Sequence, residues 1–167
     1  GYMRILLLIG DVLALAVLFT VIQRHVSLAA LLAPGGRSEL VVPAGFAANA
    51  FAEDLAAPRF LTFGPDGRLY VAESGRNRIL ALADSNGDGV SDALKVFASD
   101  VATPHSVTWH DGALYVGVPT GVIELRDSDS DGTADARRVL VDNYPTDGHS
   151  TRTVLFLRDG RMVVSVG

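Results

Sequence analysis

The residues of this chain that could do chemistry fall into one histidine–arginine set and two acidic stretches. In "PTDGHSTRT" (145–153), His149 follows a glycine and stands three residues ahead of Arg152. A neutral imidazole near a cationic side chain can serve as a general base. Spacing alone favours a plainer role, a loop histidine bonded to backbone. Arg59 and Arg152 each lie seven residues before the Asp of an Asp-Gly pair, Asp66-Gly67 and Asp159-Gly160. His105 lies six before Asp111-Gly112, in a unit whose turn reads one residue shorter. Arg, His and Arg at one repeated place would make a ring of basic side chains suited to an anionic ligand. Taken singly, each could instead cap a strand end or pair with a carboxylate such as Asp54 or Asp100. His25 and His110 have no constellation around them. The chain has no Ser-His-Asp order with a nucleophile elbow and no phosphate-cradling glycine loop.

The acidic stretches are "DSNGDGVSD" (84–92) and "DSDSDGTAD" (127–135). Asp84, Asn86, Asp88 and Asp92 in the first, and Asp127, Asp129, Asp131 and Asp135 in the second, match the front of a calcium loop: ligands at positions 1, 3 and 5, Gly at 6, Asp at 9. The bidentate acid expected at position 12 is Lys95 in one and Arg138 in the other. No helix pattern flanks either, so neither is an EF-hand. Asn, Asp and Gly are also what a tight turn needs. Turning the chain is their first duty, and weak calcium binding is compatible with it.

Strands must position these groups. The three Asp-Gly pairs recur at intervals of 45 and 48 residues. Each sits between alternating apolar runs: "FLTFG" and "RLYVAE", "SVTWH" and "ALYVGV", "TVLFL" and "RMVVSV". That is a hairpin signal. "RILALAD" and "ALKVFAS" flank the first acidic stretch, and "GVIELRD" and "ARRVLVD" the second. One unit is therefore four strands with a period in the mid-forties, the pattern of β-propeller blades. No amphipathic helix interrupts it, which argues against α/β folds. An all-β propeller is expected over 40–167, with two blades and the first strands of a third. The acidic stretches join third to fourth strands at the outer edge, and the innermost strands line a channel.

The 167 residues carry a net charge of −5 and no cysteine. A mildly acidic chain gives no electrostatic reason to bind nucleic acid. Disulfides and thiolate metal sites are excluded within these residues. Residues 5–22, "ILLLIGDVLALAVLFTVI", are apolar apart from Asp11 and Thr20, and as a helix would run roughly 27 Å, close to a bilayer's hydrocarbon thickness. No good cleavage site follows soon after. Residues 1–25 are expected to be a membrane anchor or signal segment, and 26–39, with "APGGRSE", a linker. The start at Gly1 and the end in "VVSVG" read as a fragment. Residues 38–167 alone are expected to fold poorly or aggregate, because a propeller closes only with several blades.

The segments "PAGFAANAFAEDLAAPRFLTFGPDGRLYVAESGRNRILAL", "TPHSVTWHDGALYVG" and "DGHSTRTVLFLRDGRMVVSVG" resemble the N-terminal part of the sorbosone/glucose dehydrogenase family. The resemblance covers about residues 41–167. It implies a six-bladed propeller, usually exported, that uses pyrroloquinoline quinone (PQQ) and calcium to oxidise sugars or related hydroxy and aldehyde compounds. It implies that His149, in "GHSTR", is the general base as hydride passes to the quinone. Arg59, His105 and Arg152 would line the cofactor or substrate face. A quinone or cytochrome would accept the electrons, and the propeller would stand in the periplasm or outside the cell, anchored to the inner membrane. The family's cofactor-holding Arg and Lys residues lie mainly in later blades. A non-enzymatic propeller binding a protein or glycan, and a calcium-dependent lactonase-like hydrolase, are the alternatives.

Overall fold

The computed structural model describes residues 40–167. The expected membrane helix and linker lie outside the described residues. No helix among the described residues is long and apolar enough to cross a membrane. Residues 40–48 include one turn, where the Phe46 N–H donates to the Pro43 carbonyl at 3.1 Å. Residues 49–167 form one compact unit.

That unit is all-β. Its first sheet is β1 (Pro58–Phe63), β2 (Leu69–Glu73), β3 (Arg78–Ala83) and β4 (Ala93–Ala98), antiparallel and in sequence order. The second repeats the plan with β5 (Ser106–His110), β6 (Ala113–Val118), β7 (Gly121–Arg126) and β8 (Ala136–Val141). β9 (Arg152–Phe156) and β10 (Met162–Val166) pair as a third sheet. The Asp-Gly turns close the hairpins β1–β2, β5–β6 and β9–β10. Gly67, Gly112 and Gly160 hold φ of +78°, +71° and +82°, a region glycine enters without a Cβ clash. Each acidic stretch joins a third strand to a fourth, as the sequence pattern requires.

The middle strands are buried on both faces, and the sheets stack through them. Tyr70, Ile79, Phe97, Val107, Leu114, Val116 and Leu125 belong to one core between the first two sheets. Tyr70, Phe97 and Trp109 meet edge-on, with ring centroids 5.0–5.9 Å apart, the arrangement aromatic quadrupoles favour. A second core, with Ala113, Tyr115, Val122 and Val154, joins the second sheet to the third. The far face of the first sheet, Leu69, Val71, Leu80 and Leu82, is covered by Phe51, Ala52 and Leu55 of the preceding segment.

One buried charge fixes that segment. Glu73, at the end of β2, is fully buried. Its carboxylate accepts from the Ala56 N–H at 2.7 Å, from Arg76 Nη1 at 2.7 Å and from Arg78 Nε. Arg76 also donates to the Asp54 carbonyl at 2.8 Å. Burial pushes the Glu73 carboxyl up. The Arg78 bond, the Ala56 N–H and Arg76 outweigh it and hold the group below its ordinary 4.5. A carboxylate held low adds stability that is present above its unfolded value and lost as pH falls through its folded value. Glu73→Gln is therefore expected to cost roughly 2 kcal/mol at neutral pH, in the range of a charged hydrogen bond. The loss should shrink as pH falls below about 4.5. Urea denaturation of the complete protein at pH 7 and pH 3.5 measures both, and a midpoint unmoved at pH 7 would refute the assignment.

Candidate functional site

Each innermost strand, β1, β5 or β9, pairs within its own sheet on one side only. Its other edge turns to the neighbouring sheet, and the seam is hydrogen-bonded. The Phe60 N–H donates to the His105 carbonyl at 3.2 Å. His105 Nδ1 meets the Arg152 carbonyl at 3.1 Å. The Val154 N–H donates to Ser106 Oγ at 3.1 Å, and Thr108 Oγ1 donates to the Val154 carbonyl at 2.7 Å.

At one end of this seam lies a cavity of about 170 Å3, lined by Ala57, Arg59, Ser74, Thr103, His105, Pro119, Ser150 and Thr151. It gathers Arg59 and His105, two of the expected basic residues, with hydroxyls from three loops. Arg59 is exposed, and its guanidinium has no hydrogen-bond or ion-pair partner among the described residues. His105 is half-buried, with its ring against Phe60 at 5.0 Å between centroids. Ala57 and Thr103 both border the cavity and both hold positive φ, +48° and +42°. For a β-branched residue such as Thr103 that is an uncommon, costly conformation.

Arg152 is placed otherwise. It is fully buried. Nη1 donates to the carbonyls of His149 (3.2 Å), Thr151 (2.8 Å) and Gly167 (3.1 Å), and Nη2 to that of Pro145. The guanidinium lies over the Tyr144 ring, 5.6 Å from its centroid. Both Nη groups are engaged by backbone oxygens, while the buried Nε has no hydrogen-bond partner among the described residues; Arg152 thus holds the loop 145–151 and is not part of the cavity's lining. The register explains the difference. Arg152 pairs with Val166, and Ser106 with Gly117, at matching ends of their hairpins. Ser106, not His105, is the positional equivalent of Arg152. The β5–β6 turn is two residues shorter before its Asp, not one. In β1 a bulge between Pro58 and Leu61 shifts Arg59 as well. A one-residue offset turns a side chain to the opposite face of a strand.

His149 is exposed on that loop, and its carbonyl is bound by Arg152. Its ring is not among the cavity's lining, although its neighbours Ser150 and Thr151 are.

The acidic hairpins lie elsewhere, at the sheets' outer ends. Asp84 accepts from the N–H groups of Gly87, Asp88 and Gly89 at 2.8–3.2 Å, and Asp127 from those of Asp131 and Gly132 at 3.1 and 2.8 Å. Asp92 and Asp135 close their loops by accepting from the N–H of Ser85 and Ser128. Carboxylate oxygens of Asp127, Asp129 and Asp131 come within 4.8 Å of one another. In the first loop Asn86 takes the place of Asp129, with its amide nitrogen 3.1 Å from Asp88 and 3.2 Å from Asp92. Of the position-12 residues, Lys95 reaches across to the Asp131 carbonyl of the next sheet, and Arg138 binds Glu124 at 2.6 Å.

Sequence reasoning missed Glu73, Ser74 and Thr103. A lone Glu ending an apolar strand, with two arginines three and five residues on, was the available signal for the first. Nothing in the sequence marks the other two.

Gly117 makes the seam possible. A Cβ there would lie 2.3 Å from the Arg152 carbonyl oxygen and 2.7 Å from Ser106 Oγ. Gly117→Ala is expected to cost about 1–3 kcal/mol, since backbone rather than a flexible side chain must give. A denaturation midpoint equal to that of the unchanged protein would show that the strands do not approach this closely.

A family model described as a domain of unknown function, DUF7133, matches residues 36–158. No curated protein sequence matches the chain. Among solved structures, it is similar to the holo form of the PQQ domain of pyranose dehydrogenase from Coprinopsis cinerea. The identity is 27% and the TM-score 0.66, over 76% of this chain and 31% of that one. It is similar to the calcium structure of a Trichoderma reesei protein of Carbohydrate-Active Enzymes Family AA12, at 25% identity and TM-score 0.57 over 65% and 28%. A gluconolactonase from Xanthomonas campestris matches at 27% and 0.50 over 69% and 36%. The chain thus spans roughly a third of the length of each. These neighbours agree with the resemblance to sorbosone/glucose dehydrogenase propellers.

Proposed function

The chain belongs to the DUF7133 family, and from that premise we propose that it is the N-terminal part of a six-bladed quinoprotein dehydrogenase acting on a sugar or a related hydroxy or aldehyde compound. The observation that carries this reading is the likeness to the PQQ domain of pyranose dehydrogenase. The cavity's chemistry supports it. A guanidinium without a partner among the described residues, Arg59, suits an oxygen-rich or anionic ligand, whether cofactor or substrate. PQQ, when bound, supplies the hydride acceptor.

The chain's own residues then divide the work. His149 takes the proton of the substrate hydroxyl, from a loop that Arg152 holds through backbone carbonyls. Arg59 and His105 line the cofactor or substrate face. Calcium fits the second acidic hairpin better than the first. Three carboxylates converge at Asp127, Asp129 and Asp131, as a hard cation requires, whereas Asn86 turns its NH2 inward. We further propose that residues 1–25 anchor the protein to the inner membrane, with the propeller in the periplasm or outside the cell. Electrons would pass on to a quinone or a cytochrome.

The likeness to a gluconolactonase favours a second reading, lactone hydrolysis by a calcium-dependent propeller. The complete protein, supplied with PQQ and calcium, decides between them. Sugar-dependent reduction of a dye is expected; lactone hydrolysis without dye reduction would favour the second reading. His149→Ala should lower dye-reduction turnover at least roughly a hundredfold, as expected on loss of a general base. Unchanged turnover would remove His149 from the mechanism.

Calcium is expected to bind the complete protein with an affinity that Asp129→Asn weakens and Asp88→Asn barely alters. Calorimetric titration measures this, and equal effects of the two substitutions would overturn the ranking of the hairpins.

A further inference from the structure

We infer that His105 is a ligand-binding residue of fixed tautomer, carrying its proton on Nδ1 and offering the Nε2 lone pair to a hydroxyl of a polyhydroxyl ligand in the Arg59 cavity. The inference rests on the sugar-directed reading above for its ligand class, and on geometry alone for its tautomer.

The Arg152 carbonyl, 3.1 Å from Nδ1, can only accept a hydrogen bond. The proton of the neutral ring is therefore on Nδ1, and Nε2 is an acceptor. Nε2 has no hydrogen-bond partner among the described residues. The ring cannot easily turn away. The His105 N–H donates to the Gly117 carbonyl at 2.8 Å, its own carbonyl accepts from Phe60, and Phe60 packs against the imidazole. A side chain held by backbone, ring contact and a tautomer-selecting bond is preorganised, so little ordering is left for the ligand to impose.

The surroundings define what Nε2 would meet. The lining offers hydroxyls from Ser74, Thr103, Ser150 and Thr151, one guanidinium, and no carboxylate. Ser74 Oγ gives its proton to the Pro104 carbonyl, leaving its lone pairs as acceptors. Hydroxyls and a single cation, with no carboxylate among them, suit a neutral polyol or a sugar acid. A single hydroxyl can then donate to His105 Nε2 while a neighbouring oxygen accepts from Arg59. His149 differs on each count, being exposed and outside the lining. The two histidines would hold separate duties: His105 orients a ligand oxygen, and His149 moves a proton.

The test uses the complete protein with 15N-labelled histidine, read by long-range proton–nitrogen correlation. His105→Asn assigns the resonance. Asparagine also keeps a donor towards the Arg152 carbonyl while deleting the Nε2 acceptor. The free protein is expected to show His105 as the Nδ1–H tautomer. D-glucose or D-gluconate should shift its Nε2 resonance, and His105→Asn should weaken binding of that probe about tenfold, the cost of one lost hydrogen bond at a desolvated site. The inference is overturned by an Nε2–H tautomer, by a His105 resonance unmoved by both probes, or by unchanged affinity in His105→Asn. Should that variant fail to fold, His105→Gln provides the assignment, and the tautomer and titration in the unchanged protein decide alone. If His105 responds to the probe but no dye is reduced, the dehydrogenase reading fails and this one stands. Dye reduction with an unmoved His105 overturns this one alone.

Discussion

The free edge of each innermost strand is the constraint on which the rest of this structure depends. Such a strand has a partner in its own sheet on one side only, and the backbone groups on its other side must still be satisfied. Here the neighbouring sheet supplies partners, the His105 carbonyl for the Phe60 N–H of β1, and the side chains of His105, Ser106 and Thr108 for backbone groups of Arg152 and Val154 in β9. The approach is so close that only glycine fits at position 117. His105, which bonds across the seam through its ring and its carbonyl, also borders the cavity. Site geometry is thus not an ornament on the fold but a by-product of how the inner strands dock.

Charge inside the unit is handled in two ways. Glu73 and Glu124 are each buried beside two arginines, Arg76 and Arg78 for the first, Arg126 and Arg138 for the second. Hydrogen bonding from Arg138 is the largest influence that keeps the Glu124 carboxyl below its ordinary range. Arg152 has no carboxylate beside it among the described residues and is neutralised only by carbonyl dipoles and an aromatic face. Guanidinium tolerates this better than ammonium would, being planar and weakly hydrated. The consequence is mechanical: the carbonyls of Pro145, His149 and Thr151, gathered on one cation, give the loop before β9 a defined shape, and His149 sits on that loop.

The strand plan was legible in the sequence because its signals are local. Asp-Gly between alternating runs fixes a hairpin, and the mid-forties repeat fixes the number of strands per unit. The site was only half legible because register is not local. The five residues between Phe63 and Leu69 against the two between His110 and Ala113, and the bulge after Pro58, decide which way each basic residue faces. Counting from the Asp-Gly pairs put Arg59, His105 and Arg152 in one ring. The ladder leaves Arg59 and His105 at the cavity and sends Arg152 inward. The acidic hairpins show the same limit. Their shared motif hides the Asn86-for-Asp129 difference in how the loops close.

The outer rim complements the inner seam by different chemistry. Arg137 donates to the Ser99 and Asp100 carbonyls of the preceding sheet, and Lys95 to the Asp131 carbonyl of the following one. Lys95 stands where a calcium loop of its own hairpin would need its last acid, yet it serves the neighbour's hairpin, with Asp131 Oδ1 at 3.8 Å. The first hairpin is tied on its other side. The Asn49 amide donates to the Gly89 carbonyl and the Ser91 N–H to the Phe51 carbonyl, both at 2.8 Å. Each acidic hairpin is therefore a joint as well as a turn, one to the segment that covers the first sheet and one between sheets. A cation in the second hairpin would share its carboxylates with an ammonium already present, which lowers the affinity such a site can reach and suits a stiffening role over a catalytic one. The inner seam, built of backbone and short side chains, is left to hold the chemistry.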